Sequence, residues 1–87
     1  MPTVWIPSQL QPLTGDKETV SVEGSTLREI ISDLETKYPG LEERLCEEGR
    51  IRSTLAAAVD GEITNVGMRQ AIGPDSEIHF IPALSGG

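Results

Sequence analysis

The 87-residue sequence holds one cysteine, one histidine and half as many basic residues as acidic ones. Each shortage closes a class of function. A single thiol, Cys46, cannot form an internal disulfide framework. No spacing or turn signature joins it to the lone His79, so a thiol–imidazole pair has no support; His79 reads as a surface residue of a strand and Cys46 as a small surface or core-edge residue. Seven Lys and Arg against fourteen Asp and Glu give a formal charge of −7. That charge repels phosphate backbones and anionic lipid alike, so neither nucleic acid nor membrane is an expected partner, whereas a basic surface on another protein is favoured. No apolar run approaches the roughly 18 residues of a membrane span. The opening Met1-Pro2-Thr3-Val4-Trp5 lacks the basic start and long apolar middle of a secretory leader, and the expected location is cytoplasmic. No glycine spacing matches a phosphate-binding or dinucleotide loop. The pairs Glu42-Glu43 and Glu47-Glu48 have no metal-ligand spacing or partnering histidine. Catalysis by this chain alone is not expected, nor is a bound cofactor or metal.

What is present is one domain's worth of alternating pattern, enough to bury about 60–65% of the unfolded surface around a single core. In "TVWIP" Val4 and Ile6 alternate with Thr3 and Trp5, predicting a strand over 2–7, ended or edged by Pro7. After a turn-rich loop around Pro12 and Gly15-Asp16, "ETVSV" predicts a second strand, joined to the first as a hairpin with a long connection. The period then changes. Leu27, Ile30, Ile31, Leu34 and Tyr38 fall at helical spacing, Thr26 and Glu29 have the form of a capping box, and Pro39-Gly40 enforces a stop. "LEERLCEEG" predicts a short second helical piece turning Leu41 and Leu45 inward, and "STLAAAVDGEIT" a strand, an Asp60-Gly61 turn and a short return. One helical turn in "VGMRQAI" and a turn at "GPDS" lead to a last strand, "EIHFIP", with Ile78 and Phe80 inward and His79 and Ile81 on the other side. Pro82, lacking an amide hydrogen, is expected to stop the ladder. One helix laid across one mixed sheet buries both apolar faces, an α+β arrangement of the ubiquitin-like β-grasp kind whose first and last strands are parallel neighbours at the centre. The expected division is a body over 1–82 and a free tail over 83–87.

The tail is Ala83-Leu84-Ser85-Gly86-Gly87. Two glycines at one named place occur by chance in about one chain in 200, so the pair takes its meaning from what precedes it. A terminal carboxylate is inert until it is joined to an adenylate. It then becomes a mixed anhydride with a good leaving group, open to a sulfur nucleophile, and glycine suits that end because without a Cβ it threads a narrow channel and leaves its carbonyl unhindered.

Along essentially its whole length the chain resembles the ubiquitin-like sulfur carriers, the group containing the small subunit of molybdopterin synthase and the thiamin-pathway carrier ThiS. The stretches that carry the resemblance are "LREIISDLETKYPGLEERL", "AAAVDGEI" and "DSEIHFIPALSGG". Within the group, "VWIPSQLQPLTGDKETVSVEGSTLREIISDLE" is most similar to the CysO-type carriers, whose thiocarboxylate feeds cysteine synthesis. The resemblance implies adenylation of Gly87 by an E1-like (ThiF/MoeB-like) enzyme that uses ATP, conversion to a thiocarboxylate, and transfer to a sulfur-accepting synthase, with a cysteine-synthase-like enzyme as the leading acceptor. It also implies that Ala83, Leu84, Ser85 and Gly86 occupy the partner's channel and that Trp5, Pro7 and Ile81 form a docking patch. Sulfur donation to molybdopterin, thiamin or thiosugar synthesis, and conjugation to lysines as a protein modifier, stay open as alternatives.

Overall fold

The computed structural model describes residues 1–83, and in them the two periodicities separate into one sheet and one long helix. Strand β1 (Thr3–Trp5) buries Val4 and exposes Trp5, and β2 (Thr19–Ser21) buries Val20 between exposed neighbours. Both are shorter than their patterns predict, yet the pairing outlasts them. The amides of Ile6 and Val22, both buried, donate to the carbonyls of Glu18 and Pro2. The connection, read as a turn-rich loop, is a 3-10 helix over Ser8–Thr14 that ends on Gly15 and Asp16, both at φ 65. Thr14 allows this by being buried and satisfied at once, its hydroxyl lying 3.1 Å from the Gln11 carbonyl and 3.0 Å from that of Lys17.

Helix α1 (Leu27–Lys37) starts where the capping box places it, with the Thr26 hydroxyl accepting from the Glu29 amide. The reciprocal bond is shifted by one residue. The Glu29 carboxylate accepts chiefly from the Ser25 amide at 2.7 Å and the Ser25 hydroxyl at 3.0 Å, which holds its pKa below the ordinary glutamate value. Leu27, Ile30, Ile31 and Leu34 are fully buried against Val4, Val22, Ile78 and Phe80 of the sheet side. Gly40, at φ 104, then opens α2 (Leu41–Leu45), and the Glu35 carboxylate of α1 accepts from the amides of Gly40 and Glu42, so one helix caps the next.

The second helical piece stops earlier than "LEERLCEEG" predicts. Cys46–Glu47 and Arg50–Ile51 are instead β3 and β4, a two-stranded hairpin turned by Glu48 at φ 53 and Gly49 at φ 75. Two positive-φ residues form the tight turn whose twist suits a hairpin, and that preference overrides the helical propensity of the glutamates. Strands β5 (Leu55–Val59) and β6 (Glu62–Ile63) join through Asp60 and Gly61 as expected, and a single 3-10 turn, Gly67–Arg69, precedes the last strand, β7 (Glu77–Pro82).

The sheet order is β2-β1-β7-β5-β6, with β1 and β7 parallel at the centre and the other pairs antiparallel. Pro82 does not stop the ladder on both sides. It stands opposite Leu55, and the next amide, that of Ala83, still donates to the Thr54 carbonyl at 2.9 Å. In an antiparallel pair hydrogen-bonded positions alternate, and the bonds from Ala83 to Thr54 and from Asp60 to Glu77 fix that alternation. The nitrogen of Pro82 therefore faces the β1 side, where pairing has ended at Trp5 and His79, and its missing hydrogen costs nothing.

Candidate functional site

Residues directly opposite in a ladder share a face, so the register defines the side of the sheet that α1 leaves uncovered. Trp5, His79, Ala58 and Ile63 form one row across β1, β7, β5 and β6, and Ile81 with Ala56 begins the next. Trp5, Ile81 and Ile63 are 40%, 39% and 56% exposed. The Trp5 indole stacks on the His79 imidazole with ring centroids 5.1 Å apart and planes 12° from parallel, and its Nε1 donates to the Glu77 carboxylate at 3.0 Å. An aromatic fixed in this way loses little further freedom when a partner covers it.

Trp5 and Ile81 thus share a surface, as the patch required. Pro7 is half-buried where the chain leaves β1 for the 3-10 helix, and it lines a groove with Leu10, Arg44, Arg52, Thr54 and Leu55. Ala83, expected as the first residue of the tail, is tied to Thr54 and is half-buried. Leu84, Ser85, Gly86 and Gly87 lie outside the described residues.

Four members of the face escape a reading by strand pattern alone. His79 was assignable to the outer side but not to Trp5, since their stacking depends on the parallel register; Ala56 and Ala58 flank an inward Ala57 in a run with no alternation. Ile63 carried a signal, being a large apolar residue just after a tight turn, in a strand too short to show a period. Cys46 and His79 are not brought together: the cysteine is buried in the helix-side core and the histidine lies on the opposite face. Burial first, and Glu42 second, push the Cys46 thiol up to about 11, so it stays protonated near neutrality and is no nucleophile. Among the described residues no three His, Cys, Asp or Glu side chains are grouped to hold a metal ion, and no helix is long and apolar enough to cross a membrane.

A five-stranded mixed sheet with parallel first and last strands at its centre, one helix across one face and an apolar opposite face defines a ubiquitin-like β-grasp protein. The chain belongs to the ThiS family, whose model matches residues 4–87. It is 37% identical over 90 aligned positions to the sulfur carrier protein CysO of Mycobacterium tuberculosis, covering 98% of this chain and 97% of that protein. The crystal structure of M. tuberculosis CysO superposes with a TM-score of 0.91 at 35% identity, covering 97% of this chain and all of the other. A chain from the crystal structure of the Amycolatopsis orientalis BexX/CysO complex also reaches 0.91, at 29% identity over the full length of both.

Proposed function

We propose that this chain is a sulfur carrier of the CysO type. In the proposed cycle a Gly87 carboxylate oxygen attacks the α-phosphorus of ATP in an E1-like adenylating enzyme and pyrophosphate leaves. Sulfide-level sulfur then attacks the acyl carbon, the bond from that carbon to the AMP oxygen breaks, AMP departs with one former carboxylate oxygen, and a thiocarboxylate is left at Gly87. Transfer of that sulfur to an activated serine in a cysteine-synthase-like acceptor is the leading destination. The reading is carried by the near full-length likeness to mycobacterial CysO, with the family match running through to Gly87. The rigid, exposed Trp5 and Ile81 suit the docking step, since buried aromatic anchors dominate protein interfaces. A protein partner accords with the Amycolatopsis relative, which was crystallised in a complex.

Incubated with its adenylating enzyme, ATP and a sulfur source, the chain is expected to gain the mass of one oxygen-to-sulfur exchange, located at Gly87 by fragmentation. Persistence of the unmodified mass, with the same enzyme proven active on another carrier, overturns the proposal.

A further inference from the structure

The proposed cycle uses the outer face and the tail, and two arginines at one end of the sheet, one of them paired with Glu47, stand outside its steps. Arg44 on α2 and Arg52 ahead of β5 line a groove of about 400 Å³ in which Pro7, Leu10 and Leu55 supply apolar surface. Fourteen carboxylates and seven cationic side chains make up the chain's charge, yet two of the seven line this groove and none of the fourteen does. Arg52 is held in place, its Nε and Nη2 donating to the Glu43 carbonyl at 3.1 and 2.8 Å and its Nη1 lying 3.2 Å from the Glu47 carboxylate. Arg44 is exposed and its side chain makes no hydrogen bond or ion pair among the described residues. The groove also has a fixed place relative to the chain's end: Thr54, on its wall, accepts the hydrogen bond from Ala83, the last described residue.

We infer that this groove receives a carboxylate-bearing segment with apolar flanks, on the enzyme that takes up the tail. An Asp or Glu of the partner pairs with Arg44 and Arg52 while its apolar neighbours cover Leu10 and Leu55. Arg44, exposed and making no ion pair among the described residues, offers a partner acid a local counter-charge on a chain of net charge −7, which favours this orientation. The groove's lining includes neither Trp5 nor Ile81, so it adds a point of contact beside the outer face and restrains rotation about it. The identity of the partner rests on the sulfur-carrier reading; the groove's preference for acids does not.

Two measurements on the full chain separate these. In the first, backbone amide resonances are followed while the peptide N-acetyl-Leu-Asp-Asp-Leu-amide is added. Leu10, Arg52 and Leu55 are expected to shift, and the Leu-Asn-Asn-Leu counterpart, or the Arg44→Glu protein, to bind about tenfold more weakly. In the second, thiocarboxylate formation by the adenylating enzyme is measured at low and high salt. Arg44→Glu is expected to raise KM for the carrier about tenfold with kcat nearly unchanged, Arg44→Lys to stay within about threefold of the parent, and the difference to shrink as salt rises. Shifts confined to the outer face, or equal binding of the Asp and Asn peptides, overturn the groove assignment. A KM unmoved by Arg44→Glu overturns the partner assignment. Binding of the Asp peptide that tightens about tenfold once residues 84–87 are deleted would assign the groove to the chain's own end and overturn it equally. A parent protein that is never thiocarboxylated sinks the sulfur-carrier reading and with it the partner, while the peptide titration still decides the groove.

Discussion

Gly24 shows how much a single missing carbon can carry. Its φ is 149, and a Cβ built there would stand 2.8 Å from the Glu29 Cβ and 3.0 Å from the Glu29 backbone, in the first turn of α1. Gly24→Ala is expected to cost roughly 1–3 kcal/mol, since neither backbone nor helix can yield cheaply. Gly15→Ala, strained at φ 65 but with nothing within 4 Å, is expected to cost about 1 kcal/mol or less. Urea unfolding of both variants checks the order, and equal midpoints would refute it. Cys46 marks the limit of reading at this scale. Its neighbours Leu45 and Glu47 are compatible with either a surface or a core-edge position, and only pairing with Ile51 turns the thiol inward.

Among the elements, α1 was the most legible, because periodicity, cap and stop signal all agreed on it. What the pattern could not show is how α1 is fastened. Asp33 accepts from the Glu23 amide at 2.9 Å and pairs with Lys37 at 2.9 Å, while Lys37 donates to the Ser21 carbonyl, so one polar cluster ties the helix to the end of β2. The Lys37 ammonium first, and the Glu23 amide second, hold the Asp33 carboxyl below the usual aspartate value. A lowered folded-state pKa gives stability that is whole above the unfolded value and is lost as pH falls through the folded one. Asp33→Asn is therefore expected to destabilise the protein by about 1 kcal/mol at pH 7. The gap from the parent should close in strong acid, as thermal unfolding at a series of pH values would show; a constant gap would mean that charge plays no part. The β3–β4 hairpin was illegible for the opposite reason: two residues per strand carry no period, and Glu48 at positive φ is not a turn residue that sequence announces.

At the scale of the whole molecule, one face of the sheet is sealed by α1 and the other is bare. The parallel pairing of the first and last strands was expected from the β-grasp arrangement of one helix on one sheet, and Val4 and Ile78 stand side by side in it, both buried. His79 and Ile81 were assignable to the bare face, but how its members meet depends on register: Trp5 meets His79 only through parallel pairing, and Ile63 joins them only across β5. Ile81→Asp is expected to leave the unfolding free energy within about 1 kcal/mol of the parent, as an exposed site should. It should also raise KM for thiocarboxylate formation about tenfold or more by placing a charge where an apolar anchor sat. Equal kinetics would remove the outer face from the docking step.

The position of β7 also governs how the molecule answers a tug. It is the middle strand, hydrogen-bonded to β1 on one flank and to β5 on the other, with its final rung at Ala83. Traction applied past Ala83, along the strand axis, loads the bonds to both neighbours in shear, so that many must fail together instead of peeling one by one. An enzyme can thus haul on the end of the chain while the fold behind it stays taut and unspooled.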